Sequence, residues 1–94
     1  MSARPDPRVL LYSKPGCHLC EEAAVVISRV CEDVGVSWRE VNILDDPQLS
    51  RMYAEEIPVT FVDGRQHDFW RVDEQRLRRA LAGGRRHRWG RAAR

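Results

Sequence analysis

Long hydrophobic runs are missing from this 94-residue chain. The apolar stretch nearest its start, VLLY at residues 9–12, follows the polar, proline-broken MSARPDPR and has four residues. A secretory h-region needs ~7–15 apolar residues and a membrane-spanning helix ~20, so neither is read here, and a cytoplasmic chain without a membrane partner is expected. A second cysteine pair is missing as well: the total of three cysteines is odd, whereas a disulfide framework uses even numbers. Where thiols are kept reduced, close cysteines are more often catalytic or metal-binding than structural. Lysine is nearly absent, Lys14 being the only one, and arginine supplies every other basic side chain. The body of the chain has no basic surplus. Net charge is +2, but residues 85–94, RRHRWGRAAR, hold five arginines and no acid, and without them the rest stands near −3. Nucleic acid is therefore not an expected partner of the folded part. The basic segment 85–94 is expected to be a disordered, solvated end.

What remains is one domain, expected over residues 1–84, with a single modest core; a chain of this size buries ~60–70% of its unfolded surface. RVLLYS, residues 8–13, fits a buried strand. Leu19, Ala23, Val26, Ile27, Val30, Cys31 and Val34 then recur at spacings of three and four, the inner face of a helix that Gly35 is placed to end. VSWREVNI, 36–43, reads as a second strand. Asp46-Pro47 is a helix start, and Leu49, Met52 and Tyr53 are the expected buried face of that helix. Val59 to Val62 reads as a strand, Asp63-Gly64 as a two-residue hairpin turn and residues 65–70 as the returning strand. Asp73 is placed to cap a last helix with Leu77, Ala80 and Leu81 inward, stopped by Gly83-Gly84. The order β-α-β-α-β-β-α predicts an α/β fold with a mixed four-stranded sheet flanked by helices.

Cys17 and Cys20 lie three residues apart in SKPGCHLCEE, where that first helix begins. Two such thiols serve as a metal clasp, a structural staple or a redox couple. One helical turn puts their Cα atoms about 5 Å apart, within disulfide range. Unpaired backbone N–H groups and the helix dipole favour negative charge at Cys17, and such placement lowers a thiol pKa from ~8.5 to ~3.5–7.5. Cys20, one turn inside, is the more buried partner, so Cys17 attacks and Cys20 resolves the mixed disulfide. A structural zinc site needs four ligands, usually as two close pairs, and Cys31, His18, His67 and His87 supply no second pair. Haem attachment requires histidine where Glu21 stands. The redox couple is the favoured reading, with no cofactor and no metal. A metal or iron–sulfur module on the same thiols and a non-catalytic interaction domain remain the alternatives.

LYSKPGCHLC before a helix, IPV before a strand and VDG in a hairpin resemble the glutaredoxin-like branch of the thioredoxin-fold superfamily over residues 8 to about 82. The resemblance implies a thiol–disulfide oxidoreductase with Cys17 as nucleophile and Cys20 as resolving cysteine. It also implies Lys14 as the lysine that precedes the motif and Pro58 as a cis proline beside the site. From the residues alone a trans Ile57-Pro58 bond is the default. A cis bond would leave the Ile57 backbone free to pair with an extended substrate, with Trp70 on the groove's rim. The chain departs from ordinary glutaredoxins at His18-Leu19, where they carry Pro-Tyr, and at FWRVDE, where they carry the Gly-Gly and paired acids that hold glutathione. The expected partners are therefore a protein disulfide or a low-molecular-weight thiol, glutathione or an equivalent, acting on a monomer. His18, when protonated, and Lys14 would favour the Cys17 thiolate, while Glu21 and Glu22 oppose it. Cys31, nearly on the same helix face as Cys20 but about 16 Å along the axis, reads as a buried core cysteine.

Overall fold

The computed structural model describes residues 7–82. The expected basic segment 85–94 and the Gly83-Gly84 stop lie outside the described residues. Five residues of β1 (Val9–Ser13) lead through a short loop into α1 (His18–Val34), and the chain returns as β2 (Trp38–Asn42). A 3-10 turn, Ile43–Asp45, precedes α2 (Pro47–Tyr53); β3 (Val59–Val62) and β4 (Arg65–Phe69) form a hairpin, and α3 covers residues 74–82. The sheet order is β2-β1-β3-β4, with β1 and β2 parallel and the other two pairings antiparallel. This is the mixed sheet that the element order predicts.

Alternation along the central strand creates two cores. Val9 and Leu11 point to the face where Ala23, Ile27, Val30 and Cys31 of α1 meet Leu77 and Leu81 of α3. Tyr12 points the other way and packs with Phe61 and Tyr53 at ring separations of 4.8 and 5.3 Å. Leu49 completes that layer under α2, but Met52 does not; it is exposed. A seven-residue helix has about two turns, and Leu49 and Tyr53, four apart, take the whole inward stripe. The second strand is also shorter than VSWREVNI. Ile43 leaves the ladder because the Asn42 side chain caps the next turn, accepting from the Leu44 N–H at 2.9 Å.

The hairpin turns on Asp63 and Gly64, both at positive φ (52° and 83°), the pattern of a type I′ turn. Asp63 does more than turn. Its carboxylate takes two 2.8 Å hydrogen bonds from Arg8, a side chain only 8% exposed that also reaches the Leu81 carbonyl at 3.3 Å. One guanidinium thus joins the start of β1, the β3–β4 turn and α3. In β4 the register slips: Thr60 faces Asp68 and Phe61 faces Gln66, leaving His67 as a bulge residue. His67 Nε2 and Thr60 Oγ1 are buried without a hydrogen-bond partner among the described residues.

Two predictions follow from these buried polar groups. Asp63→Asn keeps a residue tolerant of positive φ but removes the charge that Arg8 needs, and should cost about 2–3 kcal/mol in urea unfolding, less than the ~3–5 kcal/mol of a fully buried pair because Asp63 is partly exposed. Unchanged stability would mean that Arg8 is solvated by other means. Burial pushes the His67 pKa below its ordinary 6.5, against the pull of Asp68 and Asp73 and with the help of Arg76. The unfolded chain therefore takes up this proton first, and stability should fall as pH drops through the window beneath 6.5. His67→Gln should flatten the pH dependence of the urea midpoint between about pH 5 and 7.

Candidate functional site

The loop from β1 to α1 carries Lys14 and Pro15 on the surface and turns at Gly16, whose φ is +77°, a value that strains any side chain. That turn delivers Cys17 to the N-cap of α1 in an extended conformation, φ −98° and ψ 110°. A cap normally supplies a side-chain oxygen; here the acceptor is sulfur. Cys17 Sγ takes the Cys20 backbone N–H at 3.1 Å, and the Cys17 carbonyl takes the Glu21 N–H at 3.1 Å. The Cα atoms of Cys17 and Cys20 are 5.2 Å apart and their sulfurs are in disulfide contact. Cys17 is half-buried, whereas Cys20 is 2% exposed and packs with Ile43, Ile57 and Val59.

The Ile57-Pro58 bond is cis. Ile57 joins the apolar cluster that holds Cys20 and against which Cys17 packs, so the structure brings Cys17, Cys20 and Ile57 together. The backbone of Ile57 makes no hydrogen bond to any described residue. Pro58 is fully buried, and its carbonyl accepts from the Trp70 N–H at 2.8 Å. Trp70 sits at φ 67°, half-exposed, with its indole N–H donating to the Glu55 carbonyl at 3.1 Å. It braces residues 55–58 from behind and, with Leu19, Val26, Arg71 and Val72, lines a groove of about 220 Å³. His18 is 80% exposed, and its ring is turned to carboxylates, 3.0 Å to Glu22 and 3.8 Å to Glu21. Lys14 lines a cleft beside the cysteine pair that also contains Ser13, Glu21 and Glu40.

Sequence reasoning missed two features here. The bracing of residues 55–58 by Trp70 is a long-range contact with no local signal. The Ser13 hydroxyl donates to Glu40 at 2.6 Å across the β1–β2 ladder, which the strand register could have indicated once the parallel pairing was known. Among the described residues no group of three or more His, Cys, Asp or Glu is arranged to hold a metal ion, and no helix is long and apolar enough to cross a membrane. The third thiol, Cys31, is buried in the main core, which pushes its pKa up to about 11 despite the nearby charge of Arg8.

Residues 8–82 match the family model of the glutaredoxin-like domain (DUF836). The chain is 30% identical over 81 residues to an uncharacterized protein of Mycobacterium tuberculosis, a match covering 81% of this chain and 84% of that one. The X-ray structure of a structural-genomics target protein from X. campestris superimposes with a TM-score of 0.66 at 30% identity, covering 80% of this chain and 96% of that chain. Thioredoxin of Fasciola hepatica shares the fold at 19% identity, with a TM-score of 0.56 over 80% of this chain and 77% of its own.

The thiols should separate cleanly by reactivity. In the reduced, folded protein, iodoacetamide should modify Cys17 first, at a pH below the ~8.5 of a free cysteine, and should leave Cys31 untouched until the chain is unfolded. Peptide mass mapping checks both points. Fast modification of Cys31 in the folded state would contradict its burial.

Proposed function

The chain belongs to the glutaredoxin-like domain family, and from that premise we propose that it is a thiol–disulfide oxidoreductase carrying electrons between thiols of the cytoplasm. One observation carries the reading: a cysteine sulfur caps a helix N-terminus 3.1 Å from the N–H of a second cysteine within disulfide reach. In the reduced protein that N–H and the helix dipole favour the Cys17 thiolate, the species that attacks. Cys17 attacks one sulfur of a substrate disulfide, forms a mixed disulfide and expels the other sulfur as a thiolate. Cys20 then attacks Cys17 Sγ; the internal disulfide forms, and the second substrate sulfur leaves with the bonding pair. The protein dithiol is oxidised by two electrons and the substrate disulfide reduced by two.

The substrate is a protein disulfide or the mixed disulfide of a low-molecular-weight thiol, glutathione or an equivalent, met by a monomer. The Ile57 backbone, without a hydrogen bond among the described residues, supports capture of an extended segment by β-type pairing, with Trp70 on the rim of a nearby groove. Lys14 adds positive potential beside the thiolate. His18 beside it is turned to the carboxylates of Glu22 and Glu21, which offset its contribution.

Cys20→Ser tests the division of labour. The variant should accumulate a covalent adduct on Cys17 and lose at least about tenfold in turnover of a protein disulfide, while an external thiol still discharges small adducts. Undiminished turnover would remove Cys20 from the reaction.

A further inference from the structure

A tryptophan stands where the backbone favours glycine. Trp70 has φ 67°, in the left-handed region that a bulky side chain enters at a cost, and such outliers gather at binding and catalytic sites. Glycine there would keep the backbone N–H, which reaches the Pro58 carbonyl at 2.8 Å and the Glu56 carbonyl at 3.3 Å. What the side chain adds is a third bond, from the indole Nε1–H to the Glu55 carbonyl at 3.1 Å. Three of the four carbonyls from residue 55 to residue 58 thus end on one residue, and the fourth, that of Ile57, has no hydrogen bond among the described residues. These residues lie between α2 and β3 and belong to neither, so no helix or ladder fixes them. The brace is itself held. Trp70 follows directly on β4, where the Asp68 carboxylate takes Arg76 Nη1 at 2.8 Å and the Asp73 N–H at 3.4 Å from the start of α3.

Resting on the thiol–disulfide reading above, we propose that Trp70 is a positioning residue that makes the chain select disulfides carried on extended peptides. Its indole N–H holds the Glu55 carbonyl, and the Ile57 N–H and C=O stay aligned for an incoming strand. Backbone bonds to such a strand form only while donor and acceptor remain in line, because a hydrogen bond weakens steeply as its angle closes toward ~120°. A segment already fixed in that alignment has little ordering left to lose on capture, which is how a brace outside the contact adds affinity. A small disulfide has no strand to pair and gains nothing from the alignment.

The test uses the reduced full-length chain and an extended peptide whose single cysteine carries thionitrobenzoate. Cys17 attacks the peptide sulfur, the aryl thiolate leaves with the bonding pair, and its absorbance gives the rate at each peptide concentration. Trp70→Phe keeps an aromatic ring and loses the N–H. It should raise the half-saturating peptide concentration about fivefold, the worth of one neutral hydrogen bond, and should change the limiting rate far less. The preference for the peptide over the small disulfide dithiobis(nitrobenzoate) should fall by the same factor. Trp70→3-benzothienylalanine, isosteric with tryptophan but without the N–H, should give the same result with the ring packing kept. N-methylation of the peptide backbone beside its cysteine should cost the wild type more than either variant, because it removes the pairing that the brace prepares. An unchanged peptide preference in the isosteric variant would overturn the assignment. So would a loss shared equally by peptide and small disulfide, which marks a general structural effect, or an equal cost of N-methylation in wild type and variants. If wild-type Cys17 reacts with the peptide no faster than free cysteine does, the thiol–disulfide reading itself falls; a fast wild type beside unaffected variants removes Trp70 alone.

Discussion

The bond between the Cys20 N–H and the Cys17 sulfur fixes the orientation of a cysteine side chain by the same contact that starts a helix, and much of the fold can be understood as support for it. The contact requires β1 to end close to where α1 begins, which the turn at Gly16 allows within four residues. It requires α1 to lie flat on the sheet, which the stripe from Ala23 to Cys31 ensures by burying itself against Val9 and Leu11. It also requires a floor beneath the second cysteine, and Ile43, Ile57 and Val59 supply one. A sulfur is a weaker acceptor than the oxygens usual at an N-cap, so the helix start rests more on packing than on its cap.

Arg8 shows how the far end of the sheet is secured. A buried guanidinium is costly to desolvate, and the cost is offset only because Asp63 meets it with both oxygens and Leu81 offers a carbonyl. Three elements distant in sequence meet on one side chain, at the end of the sheet away from the cysteines. At the cysteine end the charged groups Lys14, Glu21 and Glu40 line an open cleft.

Legibility in the sequence followed the range of the interaction. The helical period of α1, the Asp46-Pro47 start and the Asp63-Gly64 turn are local signals, and each sits where the residues put it. The placement of Cys17 at the first turn, Cys20 behind it and Cys31 in the core follows from the same period. Long-range pairing was not legible. Nothing near Arg8 marks it as buried, nothing near His67 marks a bulge, and Ser13 and Glu40 meet only because β2 lies parallel to β1. Met52 fits a helical stripe on paper, yet so short a helix presents only Leu49 and Tyr53 to the sheet. The cis bond at Ile57-Pro58 is likewise invisible to residue-level reasoning and entered through the resemblance alone.

The sheet's two outer rails, β2 and β4, have five residues each. Such a rail presents unpaired backbone groups on which a strand from another molecule can add, the first step toward fibrils. Both rails here carry charge, Arg39 and Glu40 on one, Arg65 and Asp68 on the other, and the second is further bent by its bulge. A strand arriving alongside would have to desolvate those side chains and follow a kinked template, and it would gain at most five residues of ladder. Resistance to edge-to-edge aggregation is thus written into the same short strands that frame the site, and the exposed Arg39 and Glu40 serve as gatekeepers against polymerisation.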